Sequence, residues 1–574
     1  MLNAKQTVIT PSYLLVTVCG HIQINQGRKK VSKRILLAIA VSAVTWSAFA
    51  QQSKNISLQQ IGQFETGVFD ESAAEIVAYD AASYRLFVIN ANENSVDVLD
   101  ISDPMNPTLS GTLDVASKLP DSGGVNSVAV REGLVALAVE HDDKQNNGWI
   151  AFYDTDGNYL NHVGAGALPD AISITHNGQY VLAANEGEPS DDYSNDPEGS
   201  VTIVDISDGV MNPSMTTAGF TAYNDGAPAG VRITGPNASV AQDLEPEFIA
   251  TSHDSSTAWV TLQENNALAM IDIKNGMVTD LVSLGNKDHS IAANALDASN
   301  KDDTINIQPW PILGTYMPDA IAAYRVKGQT FLVTANEGDA REYIYDADEA
   351  TCEAAGHEYD GDNDCISHID EIRVGKVNLD PAMFNEPTLQ DDENLGRLKM
   401  LTTEGDTDGD GDYDEIHAFG ARSISIWDSS GSQVYDSGDI MEQQTALALP
   451  ENFNSTNDEN DSFDNRSDDK GPEPEGLAIG KVRGNTYAFV GLERVGGIMI
   501  FNVSKPAETS FVSYVNNRDF TVGQDDLEDG LAGDLGPEGL LFIKPDDSPN
   551  GEALLVVGNE VSGSTTIYQV VSND

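Results

Sequence analysis

Two series of residues recur in step along the chain. One opens a strand, often directly behind a proline: Glu75, Asn126, Asp170, Glu247, Asp319, Glu475 and Glu538. The other closes the strand that follows: Glu93, Glu140, Glu186, Glu264, Glu337, Glu493 and Glu560. Thirteen carboxylates at matched places are hard oxygen donors, and in this number they suit Ca²⁺ best, then Mg²⁺ or Mn²⁺, with a second divalent or trivalent metal as an alternative. Like charges gathered in a partly desolvated site cannot all stay ionised, so either carboxyl pKa values rise or cations bind. Asp, Asn and Pro-Glu also serve as turn residues. Turn chemistry does not account for a Glu at the same place seven times.

The elements that must position these acids follow from the repeat. Each pair precedes an alternating segment such as Ser200-Val201-Thr202-Ile203-Val204-Asp205 or Thr565-Thr566-Ile567-Tyr568, the pattern of a half-buried strand. Seven such units predict an all-β fold, a seven-bladed β-propeller spanning residues 51–574. Successive second-strand acids lie 46 to 156 residues apart, so some blades carry insertions. The widest interval predicts a long insertion in blade five, residues 343–420, before the third strand resumes at Ser423-Ile424-Ser425-Ile426-Trp427-Asp428. Ile56 to Phe64 reads as a strand without a blade of its own, expected at the outer edge of the last blade, where it closes the ring and removes an open edge. Neighbouring strands in a blade are antiparallel, which puts both acid series on one face near the axis.

A further acidic run, Asp406-Thr407-Asp408-Gly409-Asp410-Gly411-Asp412-Tyr413-Asp414, follows a Ca²⁺-loop pattern with Asp406, Asp408, Asp410 and Asp414 as ligands. His417 stands where an EF-hand has its bidentate Glu, so a loop of another type is expected; Asp360 to Asp364 is a weaker candidate. Arginine is scarce, yet Arg341, Arg422, Arg466 and Arg494 sit beside acidic motifs. Arg341, Arg422 and Arg494 are the candidates to clamp a phosphate or carboxylate, because the guanidinium fork donates two hydrogen bonds. Ordinary ion pairing is the competing reading. Nucleophile elbows, zinc-protease, Walker and dinucleotide motifs are not found.

The chain has 31 Lys and Arg against 91 Asp and Glu, a net charge of −60, which excludes a nucleic-acid partner and points to divalent cations. The first fifty residues carry six bases and no acid, and the apolar run from Ile35 to Trp46 before Ala48-Phe49-Ala50 reads as a secretory signal, with Val31 as an alternative start. A periplasmic or secreted protein follows, monomeric and without a membrane anchor. Cys19 falls in the leader; Cys352 and Cys365 are then expected to form a disulfide stapling one loop.

Asn185-Glu186-Gly187-Glu188-Pro189, Asn336 to Arg341, Asp406 to Asp414, Phe419 to Ser423 and Gly471 to Ala478 together resemble the choice-of-anchor I domain family. Its relatives include atypical bacterial alkaline phosphatases and mesenchyme-specific cell-surface glycoproteins, and Pro474-Glu475-Gly476-Leu477-Ala478 is similar to phytase-like propellers. The resemblance implies an exported propeller and permits phosphatase activity. Two functions are therefore expected: a Ca²⁺-dependent phosphoesterase acting on phosphate esters, or a Ca²⁺-stabilised binding protein for an extracellular polymer.

Overall fold

The computed structural model describes residues 55–573. The expected leader lies outside the described residues. Seven four-stranded antiparallel sheets follow one another along the described chain. Their first strands are Val77–Asp80, Ser122–Arg131, Pro169–Ile174, Ile249–Thr251, Ile321–Val326, Pro474–Val482 and Pro537–Ile543. Each first strand touches that of the next sheet, and the last touches the first, so the sheets close around an axis as in a β-propeller. In the final sheet Asn55–Glu65 pairs antiparallel with Ser564–Asn573 as the outermost strand, the place expected of the Ile56–Phe64 segment.

The core lies between sheets. Leu182, Val201 and Ile203 of one sheet pack against Val260, Ala269 and Ile271 of the next. A sheet covered on both faces reads as a continuous apolar run, as in the fully buried Leu554–Asn559. This corrects the expectation of half-buried third strands. Ser200–Asp205 is buried almost throughout, and its polar Thr202 is buried because Asn185 Nδ2 donates to Thr202 Oγ1 at 3.0 Å and to Ser200 Oγ at 3.1 Å. Asn336 Nδ2 holds Ser423 and Ser425 in the same way, and Asn559 Nδ2 holds Ser564 and Thr566. The Asn of these three Asn-Glu pairs thus pins the following strand.

Three of the first-strand acids sit in bulges, while Glu75, Glu247 and Asp319 stand just before their strands. Pro169 pairs with Asn185 and Ile172 with Ala183, leaving Asp170 and Ala171 opposite Ala184 alone. The same irregularity places Glu475 between Pro474 and Leu477, and Glu538 between Pro537 and Leu540. A bulge re-aims a side chain that regular pairing would direct elsewhere. Gly476 follows Glu475 because a Cβ there would lie 1.8 Å from the Glu538 carbonyl oxygen of the adjoining strand. Only glycine permits that approach.

Between Gln329–Asn336 and Ser423–Asp428, paired neighbours in the fifth sheet, the chain leaves the ring. It forms a small sheet of Glu342–Asp346, Asp364–Ile369 and Glu358–Gly361, with a helix at Glu349–Ala355. The Cys352–Cys365 disulfide, Cα atoms 5.6 Å apart, ties helix to strand. Further on, Val374, Leu398 and Met400 pack with Leu296, Trp310 and Ile312 into a separate core, joining this excursion to another at residues 284–316.

Candidate functional site

The bulges and strand ends bring most of the repeated acids together at the axis. Asn126, Asp170, Asp319, Glu475 and Glu538 line a cavity of about 220 Å³, with Ile76, Phe248 and Leu477 among its apolar walls. Burial raises the carboxyls of Glu247, Asp319, Glu475 and Glu538 well above the ordinary range, and neighbouring acids push further: Glu264 on Glu247, Glu337 on Asp319, Glu493 on Glu475, Glu75 on Glu538. Burial likewise lifts Glu75 and Asp170 to about 7. Glu186 is raised well above its usual value by burial, with Asp170 adding to the effect. Oε2 of Glu247, Glu264, Glu475 and Glu538 is buried without a hydrogen-bond partner. Desolvated carboxylate oxygens with no donor are costly, and a hard cation is one group that would satisfy them.

Beside this ring lies a second cavity, about 390 Å³, where cations and acids face one another. Its walls include Glu188, Glu264, Asp339 and Glu371 on one side of the charge balance and Arg341, Lys399, Arg466, Lys470 and Arg494 on the other. Glu337, Glu473 and Glu493 bring carboxylate oxygens within 4.8 Å of one another. Glu473 is wholly buried, receiving Arg466 Nε on Oε1 at 2.7 Å and Arg494 Nε on Oε2 at 3.2 Å. Burial alone would raise its carboxyl, but Lys470, Arg466 and Arg494 outweigh that and hold it down to about 2. Arg494 also meets Glu493 Oε1 at 3.0 Å.

The other arginines are committed. Arg341 is 2% exposed, with Nη1 2.7 Å from Asp243 Oδ1 and Nη2 2.9 Å from Glu245 Oε2. It lines the larger cavity, but its guanidinium tips already hold carboxylates. Arg422 lines neither cavity: Nη1 pairs with Glu442 and donates to the Asp297 carbonyl, while Nη2 donates to the carbonyls of Ser467 and Asp469. Glu93 is exposed and Glu140 half-buried; Glu140 nonetheless adds to the charge acting on Asp170, while burial raises the Glu560 carboxyl against the pull of Arg494.

The Asp-rich loop lies in the excursion, away from either cavity lining. Asp406, Asp408 and Asp414 bring oxygens within 4.8 Å of one another, whereas Asp410 is outside that set. Gly409 N and Gly411 N donate to the Asp406 carboxylate at 2.8 and 3.2 Å, and Thr407 N to Asp414 Oδ2 at 2.9 Å. His417, at the twelfth position, begins the buried strand His417–Phe419.

Reasoning from the repeat missed Glu473, Lys470, Lys399, Asp243, Glu245 and Glu188. All belong to connections between repeated strands and carry no periodic signal. For Glu473 the doubled Pro-Glu of Pro472-Glu473-Pro474-Glu475 was the available clue.

Comparison with known proteins follows from this geometry. Gigasin-3a of Magallana gigas is 33% identical over 192 residues, covering 32% of this chain and 67% of the relative. The mesenchyme-specific cell surface glycoprotein of Strongylocentrotus purpuratus is 28% identical over 294 residues, 47% of this chain but 36% of its own length. The chain therefore spans about a third of that glycoprotein. Among solved structures, Kuenenia stuttgartiensis hydrazine synthase aligns with a TM-score of 0.42 at 12% identity, covering 88% of this chain and 98% of that one. The Myceliophteria thermophila Cps50 (Swd1) β-propeller domain gives 0.41 at 10% identity, covering 90% and 100%. The family model for the choice-of-anchor I domain matches residues 75–506, and the chain belongs to that family.

Proposed function

We propose that the protein is an exported seven-bladed propeller that holds Ca²⁺ in its axial acid ring and hydrolyses phosphate esters in the adjoining cavity. The observation that carries this reading is the set of unpartnered buried oxygens on Glu247, Glu264, Glu475 and Glu538 beside a cavity lined by five cationic side chains. Export is supported by the Cys352–Cys365 disulfide and by a relative named as a cell surface glycoprotein.

The ring residues that would hold the ion are Glu75, Asp170, Glu247, Asp319, Glu475 and Glu538. Bound there, Ca²⁺ supplies Lewis acidity toward a phosphoryl oxygen. The chain supplies the rest. Arg494 and Arg466 border the cavity and would orient a phosphate through guanidinium N–H donors not directed at Glu473. Glu264, lifted by burial to about 7 although Arg341 pulls it down, has the pKa of a general base at neutral pH. It would take a proton from the water that attacks phosphorus as the ester P–O bond breaks, and return that proton to the departing alkoxide. The test is hydrolysis of p-nitrophenyl phosphate and a panel of mono- and diesters with Ca²⁺. Absence of any EDTA-sensitive turnover across the pH range sinks the enzymatic reading.

A second reading is a Ca²⁺-stabilised binding protein, and one observation favours it: Arg341 and Arg494 are already paired with carboxylates. A Ca²⁺-induced rise in melting temperature with no turnover selects this alternative.

A further inference from the structure

Away from the axial ring, two connecting loops leave a set of oxygen acceptors without donors. The first runs from Asp297 to Asp302, between the fourth and fifth sheets. The second contains Asn454 and Asp464, between the fifth and sixth. Asn300 Oδ1, Asp302 Oδ2, Asn454 Oδ1 and Asp464 Oδ2 are all buried and unpartnered. Asn454 is 0% exposed and Asp464 2%.

Arg422 ties the two loops together. Its Nη1 donates to the Asp297 carbonyl at 2.7 Å and its Nη2 to the Ser467 carbonyl at 2.9 Å. Ser467 Oγ in turn donates to Asp464 Oδ1 at 2.5 Å and accepts from Asn454 Nδ2 at 2.9 Å. One oxygen each of Asp464 and Asp302 is thus used locally, Asp464 Oδ1 by Ser467 and Asp302 Oδ1 by Thr304 N at 3.1 Å, while Asp297 accepts on both, Oδ2 from Asn306 N at 2.5 Å and Oδ1 from Ser299 N at 3.4 Å. What remains faces the neighbouring acids. Burial lifts Asp464 to about 8, with Asp297, Asp302 and Glu442 adding to the effect. Burial also lifts Asp297 to about 7, with Glu442 and Asp302 contributing.

Arg422 and Glu442 neutralise each other, so Asp297, Asp302 and Asp464 leave three negative charges to be met. A proton on Asp464 Oδ2 would remove one charge and serve at most one of the other orphaned oxygens, leaving the rest unmet. A cation satisfies the charge and the orphaned oxygens at once. We propose that these two loops form a Ca²⁺ site separate from the axial ring, with Asp302, Asp464, Asn300 and Asn454 as side-chain ligands and Asp297 completing the charge. Hard carboxylate and amide oxygens with no nitrogen or sulfur donor match Ca²⁺ rather than a transition metal. The set is wider than the Glu337 and Asp406 clusters, whose oxygens already lie within 4.8 Å of one another. The site clamps two excursions from the ring and requires nothing of the catalytic reading.

The test counts ions. Wild-type protein, Asp464→Asn, Asp302→Asn and the ring variant Glu538→Gln are stripped with EDTA, dialysed against micromolar Ca²⁺ and assayed by elemental analysis and thermal melting. Asp464→Asn and Asp302→Asn are each expected to carry one Ca²⁺ fewer per chain and to lose part of the Ca²⁺-induced rise in melting temperature. Glu538→Gln is expected to keep this ion. An unchanged ion count and thermal response in Asp302→Asn overturns the proposal, as does loss of all bound Ca²⁺ in Glu538→Gln. Should Asp464→Asn not fold, Asp302→Asn, which is not fully buried, decides alone. Failure here leaves the axial ring untouched, because the two ion populations are read by different variants.

Discussion

Lys470 Nζ lies 2.7 Å from Glu337 Oε1, joining a residue of an inter-sheet connection to one of the repeated acids. The ammonium also approaches Asp339 at 3.2 Å and Glu473 at 3.6 Å. It is a built-in cation at the mouth of an otherwise acidic ring. On this side of the axis the charge is met by side chains; on the side of Glu247, Glu475 and Glu538 it is not.

Lys470→Met therefore leaves three carboxylates short of a partner. Removing one member of a buried ion pair costs about 3–5 kcal/mol. Urea melts should show a loss of that size in EDTA and a much smaller one in Ca²⁺, which takes the ammonium's place. Equal losses in both buffers would show that no cation enters there.

Stability should depend on pH in a direction set by the ring. Glu75, Asp170 and Glu264, each at about 7, hold protons in the folded state that the unfolded chain has released above pH 4 to 4.5. Stability without metal thus falls as pH rises from about 4.5 to 7, by up to about 1.4 kcal/mol per pH unit for each such group. Glu473, at about 2, acts oppositely, its contribution being present above pH 4.5 and lost toward pH 2. Urea melts of chelated protein at pH 5 and pH 8 check the first window. Ca²⁺ should flatten the curve.

The asparagines that pin the third strands can be tested singly. Asn559→Ala removes an amide donating to Ser564 Oγ at 3.1 Å and Thr566 Oγ1 at 3.4 Å in a fully buried strand. Leaving such acceptors unmet costs about 1–3 kcal/mol. A drop of that size in unfolding free energy with an unchanged m-value is expected.

Deletion of Asn55–Glu65 bares the edge of Ser564–Asn573 and uncovers the apolar cluster that Ile56 and Leu58 share with Leu555 and Tyr568. Cooperative melting should be lost and the chain should self-associate through the open edge. An unchanged melting curve would refute the closing role.

Much of this architecture was legible because strands that recur around an axis must repeat their sequence. The Asn-Glu pairs gave the ends of second strands, and the Pro-acid pairs their partners. The repeat could not show that Asp170, Glu475 and Glu538 sit in bulges, since a bulge changes pairing without changing residue type. Nor could it reveal that Thr202 is buried: alternation of polar and apolar residues looked like exposure, whereas Asn185 meets the hydroxyl inside the core. Arg422 was a candidate clamp because it follows the acidic run of Asp406 to Asp414 in sequence. It instead occupies the left-handed region, φ 51°, and turns toward Glu442 and the loop carbonyls. Lys470 and Glu473 come from a connection whose course no local pattern encodes.

The ladder that closes the ring also decides how the molecule bears load. Asn55 lies opposite Asn573, so both ends of the described chain leave from the same end of one antiparallel pair. Force applied between those ends peels the pair open one hydrogen bond at a time. Force applied between one end and a far loop must slide whole strands past each other. A load carried between the two ends therefore peels the seam of the ring, whereas a load on one end alone does not.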